Sequence, residues 1–272
     1  MDSRTSRILL QEVSRTEACA RAAESLLIWP VGALEQHGPH LPVGTDYLTI
    51  EALTRLAAEK ASIKIPVLVA PTLPFGSSHH HLPFGGTMSL GSEAYYRTVY
   101  DLAESLIIGG FRKIFIVNGH GGNNELLQLV ARDLALKHPA SLAAASYWTV
   151  AWDALVALNA HQPGRLPGHA GAFETSMMMA IRPDLIPETL PHRDNVAGSD
   201  PRSFYRPYRA EFHGSWQAID GYTDSPDRGT PEHGKMYQDA IVEALAAAMI
   251  EFHTQAKSSE VSRSKTAENS GT

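Results

Sequence analysis

Glu35, His37 and Asp46 fall in one short run, Gly32-Ala33-Leu34-Glu35-Gln36-His37-Gly38-Pro39-His40-Leu41-Pro42-Val43-Gly44-Thr45-Asp46. Carboxylates and imidazoles are dense in it, and glycine and proline shape the backbone between them. Glu35 and His37 are two positions apart, so in an extended segment their side chains point to one side. Mixed nitrogen and oxygen donors suit a divalent ion such as zinc or manganese, and iron and cobalt are also compatible. Asp46 has a plainer reading as the N-cap of the helix that follows, a place Asp favours. A second group is Asn118-Gly119-His120-Gly121-Gly122-Asn123-Asn124. Its histidine stands among glycines, where a chain turns tightly and can approach a ligand closely. The plainer reading is a glycine-rich turn with an incidental histidine. The run lacks the Lys and Ser/Thr of a P-loop and the spacing of a dinucleotide fingerprint.

A third group is Gly168-His169-Ala170-Gly171-Ala172-Phe173-Glu174-Thr175-Ser176. Glu174 precedes the apolar run Met177-Met178-Met179-Ala180-Ile181, and a carboxylate buried beside such a run needs a partner, which a metal cation could be. The alternative is an exposed glutamate on the outer face of an amphipathic helix. The segment from Gly76 to Thr87 carries His79, His80 and His81 in succession. Neighbouring residues point in different directions, so at most one or two of the three can serve one site. His81 is favoured as a substrate-side or loop-ordering group, with Ser78 beside it. His138, His161, His192, His213 and His253 have no such setting and read as ordinary surface or partly buried histidines.

The elements that must position these groups are legible as alternating patterns. Apolar runs at 26–31, 67–70, 113–118 and 142–148 predict strands, and helical spacing predicts helices at 47–60, 92–108, 124–137, 172–181 and 232–255. Alternation of this kind predicts an α/β fold: a single-domain three-layer sandwich with a mostly parallel central sheet flanked by helices. In open sheets of this type ligands gather outside the carboxyl ends of the strands. The loops after Val31, Ala70, Asn118 and Trp148 are therefore expected to line the site. The segments 71–83, 159–167 and 204–216 are expected to shape its pocket.

The chain has 272 residues, 43% of them hydrophobic and 19% charged, which is enough apolar material for one sizeable core. A net charge of -6 with no basic run argues against a nucleic-acid partner. The only cysteine, Cys19, cannot form an intrachain disulfide. The first fifteen residues lack the apolar core of a signal peptide, and no apolar run is long enough to span a bilayer. The expectation is a cytoplasmic enzyme acting on a small molecule, with no membrane or nucleic-acid partner. Its domain would occupy residues 1–256, and residues 257–272, rich in Ser, Lys, Thr and Glu, would form a flexible tail.

Taken together, these runs resemble the creatininase (creatinine amidohydrolase) family. The resemblance is carried by G-A-L-E-Q-H-G-P-H-L-P-V-G-T-D at 32–46, F-G-G-T-M-S-L at 84–90 and V-N-G-H-G-G-N at 117–123. It continues through S-Y-W at 146–148, H-A-G-A-F-E-T-S at 169–176 and G-Y-T-D-S-P-D-R-G-T-P-E-H-G at 221–234. It implies a dinuclear metal centre holding two divalent ions, zinc and/or manganese. Asp46 would bridge them, Glu35 and His120 would complete one site and His37 would serve the other. The resemblance also implies that His169 acts in acid–base catalysis and that Trp148 closes over substrate, although Trp148 reads equally as a core tryptophan. It further implies a homo-oligomer, often a hexamer. Creatininase itself has a glutamate ligand at the place of Gly122, and Glu174 is the expected replacement, as ligand and part of the catalytic apparatus. The implied activity is hydrolysis of a small cyclic amide or formamide by a metal-activated water. A lactonase acting on a cyclic ester, or a non-catalytic metal-binding or assembly protein of a biosynthetic pathway, are the alternatives.

Overall fold

The computed structural model describes residues 7–194 and 210–270, with side chains as far as residue 259. The expected pocket segment at 204–216 therefore lies outside the described residues from 204 to 209. The first helix, α1 (Arg15–Ala22), begins at Ser14, whose side chain accepts the Glu17 backbone N–H at 3.3 Å. This is a Ser-x-x-Glu start signal ahead of the first strand. Strand β1 (Leu26–Val31) is buried along its whole length, as its unbroken apolar run requires for a strand covered on both faces. It leads through the 32–44 loop into α2 (Thr45–Ala61), then β2 (Val67–Val69), α3 (Ser92–Ile108) and β3 (Lys113–Asn118). Next come α4 (Asn124–Lys137), β4 (Ser141–Ser146), and the short helices α5 (Tyr147–Val150) and α6 (Trp152–Ala157). The chain continues with α7 (Ala172–Ile181), α8 (Ser215–Ala218) and the long α9 (Pro231–Ser270).

The four strands are parallel in the order β2-β1-β3-β4. Proline inside a central strand normally costs a ladder hydrogen bond. Here β1 pairs with β2 only from Leu26 to Ile28, and the Pro30 carbonyl accepts Leu73 N–H on that same side. The missing Pro30 N–H therefore falls where β2 has already ended. Odd and even residues of the strands feed two cores. Leu26, Ile28, Phe115 and Val117 pack with α2, α7 and α9, while Leu27, Trp29, Ile114 and Ile116 pack with α3 and α4. The expected three-layer α/β sandwich is thus observed.

Three boundaries differ from expectation. Strand β4 stops at Ser146 instead of running to 148, because its partner β3 ends at Asn118, which pairs with Ser146. Tyr147 and Trp148 have no strand to pair with and start α5 instead. The last helix continues past 255 to Ser270, through the segment expected to be a tail. Asp46 is not the N-cap of α2. Gly44 occupies that place, and Asp46 lies inside the first turn. Among the described residues no helix is long and apolar enough to cross a membrane.

Chain direction makes a crevice at one place. From β1 the chain leaves toward β2, and from β3 it leaves toward β4, although β1 and β3 are neighbours. The loops after these two strands are carried apart in opposite directions, and the gap between them is where an open parallel sheet binds ligands.

Candidate active site

The loop after β1 supplies Glu35 and His37, the first turn of α2 supplies Asp46, and the turn after β3 supplies His120. Each of the four is less than a tenth exposed. The asparagines of the N-G-H-G-G-N run hold this arrangement. Asn118 grips the turn at both ends, its Oδ1 accepting His120 N–H at 3.0 Å and its Nδ2 donating to the His120 carbonyl at 2.7 Å. Asn123 ties three segments together, donating to Gly32 O and Asn118 Oδ1 and accepting Ser77 N–H. The glycines leave room for close approach. A Cβ on Gly119 would sit 2.8 Å from Ile50 Cβ, and one on Gly122 would sit 2.2 Å from the Ser77 carbonyl oxygen and 2.6 Å from His120 Nε2. A side chain at 122 would require the Ser77 backbone to shift, so the packing of this loop disfavours a glutamate there.

Hydrogen bonds to backbone carbonyls assign the tautomers of three histidines, because a carbonyl can only accept. His37 Nδ1 donates to Glu35 O (3.1 Å), leaving Nε2 toward Asp46 Oδ1 at 3.2 Å and Glu174 Oε2 at 3.8 Å. His120 Nε2 donates to Ser77 O (3.2 Å), leaving Nδ1 at 3.1 Å from both Glu35 Oε1 and Asp46 Oδ2. His169 Nε2 donates to Gln36 O (3.0 Å), leaving Nδ1 at 3.6 Å from Glu35 Oε1. One Asp46 carboxylate thus faces His37 with one oxygen and His120 with the other.

Carbonyl-anchored imidazoles facing carboxylate oxygens are the usual form of a metal site, with the outer nitrogen fixing the ring. A lone pair aimed at a carboxylate needs positive charge in the gap, either a proton on the ring or a cation. For His37 and His120 in the protein alone it is the proton. Burial opposes it, but Asp46, Glu174 and Glu35 outweigh burial and raise His37 to about 10. His120 is likewise raised, against burial, by Glu35 and Asp46. Burial pushes Glu174 up, against the pull of His37. Burial also works against the charge on Glu35, yet the charge and close polar contact of His120 hold it well below the usual carboxylate range. Both Glu35 oxygens and Asp46 Oδ2 are buried outside any well-formed hydrogen bond, with His120 Nδ1 at 3.1 Å from Glu35 Oε1 and Asp46 Oδ2. Such atoms need an explanation, and a bound cation supplies one. Donor atoms of Glu35, His37 and His169, and separately of His37, Asp46 and Glu174, lie within 4.8 Å of one another. The residues present therefore fit divalent metal.

Around this cluster, Gln36 acts as a bracket. Its Oε1 accepts Gly38 N–H (2.9 Å) and its Nε2 donates to Gly221 O (2.8 Å), which fixes the amide orientation. The remaining Nε2 hydrogen reaches His81 Nδ1 at 2.8 Å, so the His81 proton lies on Nε2, 3.6 Å from Glu35 Oε1. Burial lowers His81 to about 3 and lowers His169 as well, so both rings are neutral. The rings of His81 and His169 stack at 4.2 Å, and Trp216 stands edge-on to both, at 4.7 and 5.4 Å.

The loop bearing His169 and Glu174 is clamped from a distance. Thr223 N–H donates to the His169 carbonyl and His169 N–H donates to Thr223 Oγ1. Buried Asp224 accepts Ala172 N–H (2.7 Å), Arg165 N–H (3.0 Å) and the Thr223 hydroxyl (2.9 Å), which caps α7 in place of a local residue.

A model of the creatininase family, described as creatinine amidohydrolase, matches residues 11–249. The chain belongs to the creatininase family. It is a metal-dependent hydrolase of that family. It is 30% identical to creatinine amidohydrolase of Pseudomonas putida over 86% of this chain and 92% of that protein. It is also 34% identical to the mycofactocin precursor peptide peptidase of Mycobacterium ulcerans (strain Agy99) over 60% of each chain. A solved manganese form of creatininase superposes with a TM-score of 0.72 at 27% identity, covering 90% of this chain and 98% of that one.

Of the residues singled out in the sequence, Glu35, His37, Asp46, His120, His169, Glu174 and His81 come together at the crevice. Ser78 meets His120 Nε2 through its hydroxyl at 3.2 Å, so it braces the ring from outside the cluster. Trp148 lies in the hydrophobic core, edge-on to Tyr147 at 4.9 Å, and the tryptophan beside the imidazoles is Trp216. Sequence reasoning passed over Gln36 and Asp224. Both stand inside runs that carry the family resemblance, which was the available signal.

Proposed function

We propose that this enzyme hydrolyses a small cyclic amide or formamide at a centre of two divalent ions, zinc and/or manganese. Glu35, His120 and Asp46 Oδ2 would hold one ion, and His37, Glu174 and Asp46 Oδ1 the other. The observation that carries the reading is the shared Asp46 carboxylate, its two oxygens aimed at two imidazoles whose outer nitrogens are tied to backbone carbonyls. Bound ions of this kind lower the pKa of a water and polarise a carbonyl.

The chain's own residues supply the remainder. His169 is neutral in its pocket and holds a lone pair at Nδ1. It accepts a proton there as the water attacks the carbonyl carbon and returns that proton to the departing nitrogen, which is a poor leaving group until protonated. The Gln36 carbonyl, which accepts His169 Nε2–H, and the Thr223–Asp224 clamp keep His169 in place from two sides. Trp216, with His81, forms an aromatic wall over the cluster against which a flat amide can lie. Glu174 takes the ligand place that Gly122 leaves unfilled.

The test combines elemental analysis with paired lactam, formamide and lactone substrates. Close to two ions per chain and turnover of an amide, lost in His169→Ala with metal retained, is the expected result. Turnover of lactones alone, with His169→Ala little affected, would replace amide by ester as the substrate class.

A further inference from the structure

Three histidines in succession need three explanations, and the cluster above uses only His81. His79 is exposed, with its Nδ1 at 2.9 Å from Ser89 Oγ, away from the carboxylates. His80 is different. We propose that His80 is a ligand of the ion held by Glu35 and His120, giving that side of the centre two imidazoles and two carboxylates. The proposal rests on reading the cluster as a metal centre.

Donor atoms of Glu35, His80 and His120 lie within 4.8 Å of one another. The His80 and His120 rings lie in nearly parallel planes, 6° apart, with centroids 5.8 Å from each other. His80 is held between His81 (4.2 Å) and Trp216 (5.5 Å). Its distance from His120 is set by the backbone that precedes it. Ser77 accepts His120 Nε2–H through its carbonyl, Ser78 meets the same nitrogen through its hydroxyl, and Ser77 N–H is fixed on Asn123. This is also the backbone that packs where a Cβ on Gly122 would stand. The loop that disfavours a ligand at 122 is the loop that delivers an imidazole at 80.

The consequence is an unequal pair of sites. With His80, one side has two nitrogen and two carboxylate donors, which is a complete four-coordinate set of the kind zinc accepts. The other side has one imidazole and two carboxylates, more oxygen-rich and with a position left open, which suits manganese as well as zinc. Substrate and water would then meet the His37 side.

The test uses the intact chain loaded with Co²⁺ as a spectroscopic probe and Zn²⁺ for affinity. His80→Ala is compared with wild type and with His79→Ala, the control in the same loop. Expected is a fall in affinity for one ion of at least about tenfold in His80→Ala, with a changed Co²⁺ visible spectrum. His79→Ala should match wild type in both. If His80→Ala folds poorly by circular dichroism, His80→Asn serves the same comparison. Wild-type affinity and spectrum in a folded His80 variant would overturn the ligand role and leave the metal centre standing. A wild-type protein that takes up no ion would overturn both.

Discussion

Asp46→Asn is the perturbation that most directly tests the shared centre. The substitution keeps the size of the side chain but removes its charge, and it turns one of the two ends into an N–H₂ donor. In the wild type, Oδ1 stands 3.2 Å from His37 Nε2 and Oδ2 stands 3.1 Å from His120 Nδ1, both of them positions for an acceptor or a ligand. Either orientation of the asparagine therefore damages one site outright and weakens the other. Loss of even a supporting contact to a metal typically costs 10–100-fold in affinity. A hundredfold loss is about 2.7 kcal/mol of metal-linked stability at saturating ion, and because both sites share this residue the sum approaches roughly 5 kcal/mol. For a chain of this size that shrinks the metal-induced rise in Tm by on the order of 10 °C. Glu35→Gln and Glu174→Gln touch one side each and should lose about half as much. The assay is thermal unfolding with and without zinc, alongside metal content. A metal-induced rise in Asp46→Asn equal to that of wild type, or a loss no larger than in the glutamate variants, would refute the bridging role.

Zinc added to metal-free protein in weak buffer at pH 8 should release protons. His37 is raised to about 10, so its ring carries a proton at pH 8 that a metal ligand must give up, and His120 is raised in the same direction by Glu35 and Asp46. Release of about one proton or more per chain is expected by pH-stat, and none would contradict the ligand assignment. Gly122→Ala should destabilise the chain by about 1–3 kcal/mol and weaken metal binding, because its Cβ would lie 2.2 Å from Ser77 O and 2.6 Å from His120 Nε2. An unchanged Tm and metal content would show that the Ser77 loop yields freely. Asp224→Asn should lower kcat while leaving the ion on the Glu35–His120 side in place, because it weakens the clamp on the His169 loop at a cost of about 1.5–3 kcal/mol per charge-assisted bond. Loss of metal without loss of kcat would place Asp224 elsewhere in the scheme.

The sequence by itself determined the strands and the end of the sheet at which chemistry collects. Apolar runs such as 26–31 and 113–118 can only be buried strands between helices, and the polar residues that follow them must lie at their carboxyl ends. Glu35, His37, Asp46 and His120 were legible for that reason, and Glu174 through the apolar run that follows it. Tertiary structure decided what each of them faces. Gln36 and Gly221 are 185 positions apart, and Asp224 caps a helix 52 positions before it. Local periodicity gives a side chain's direction along its own element but not what the neighbouring element presents to it. Trp148 and Trp216 illustrate the limit. The first reads in the sequence equally as a pocket residue and as a core tryptophan, and because β4 ends at Ser146 for want of a partner on β3, Trp148 turns into the core. The second comes from α8, far along the chain, and stands beside the imidazoles because the Gly221 carbonyl is pinned to Gln36. The three successive histidines were divided among separate tasks by the 3-10 turn His79–Phe84 and by the packing of Ser77 against Gly122, which no spacing rule encodes.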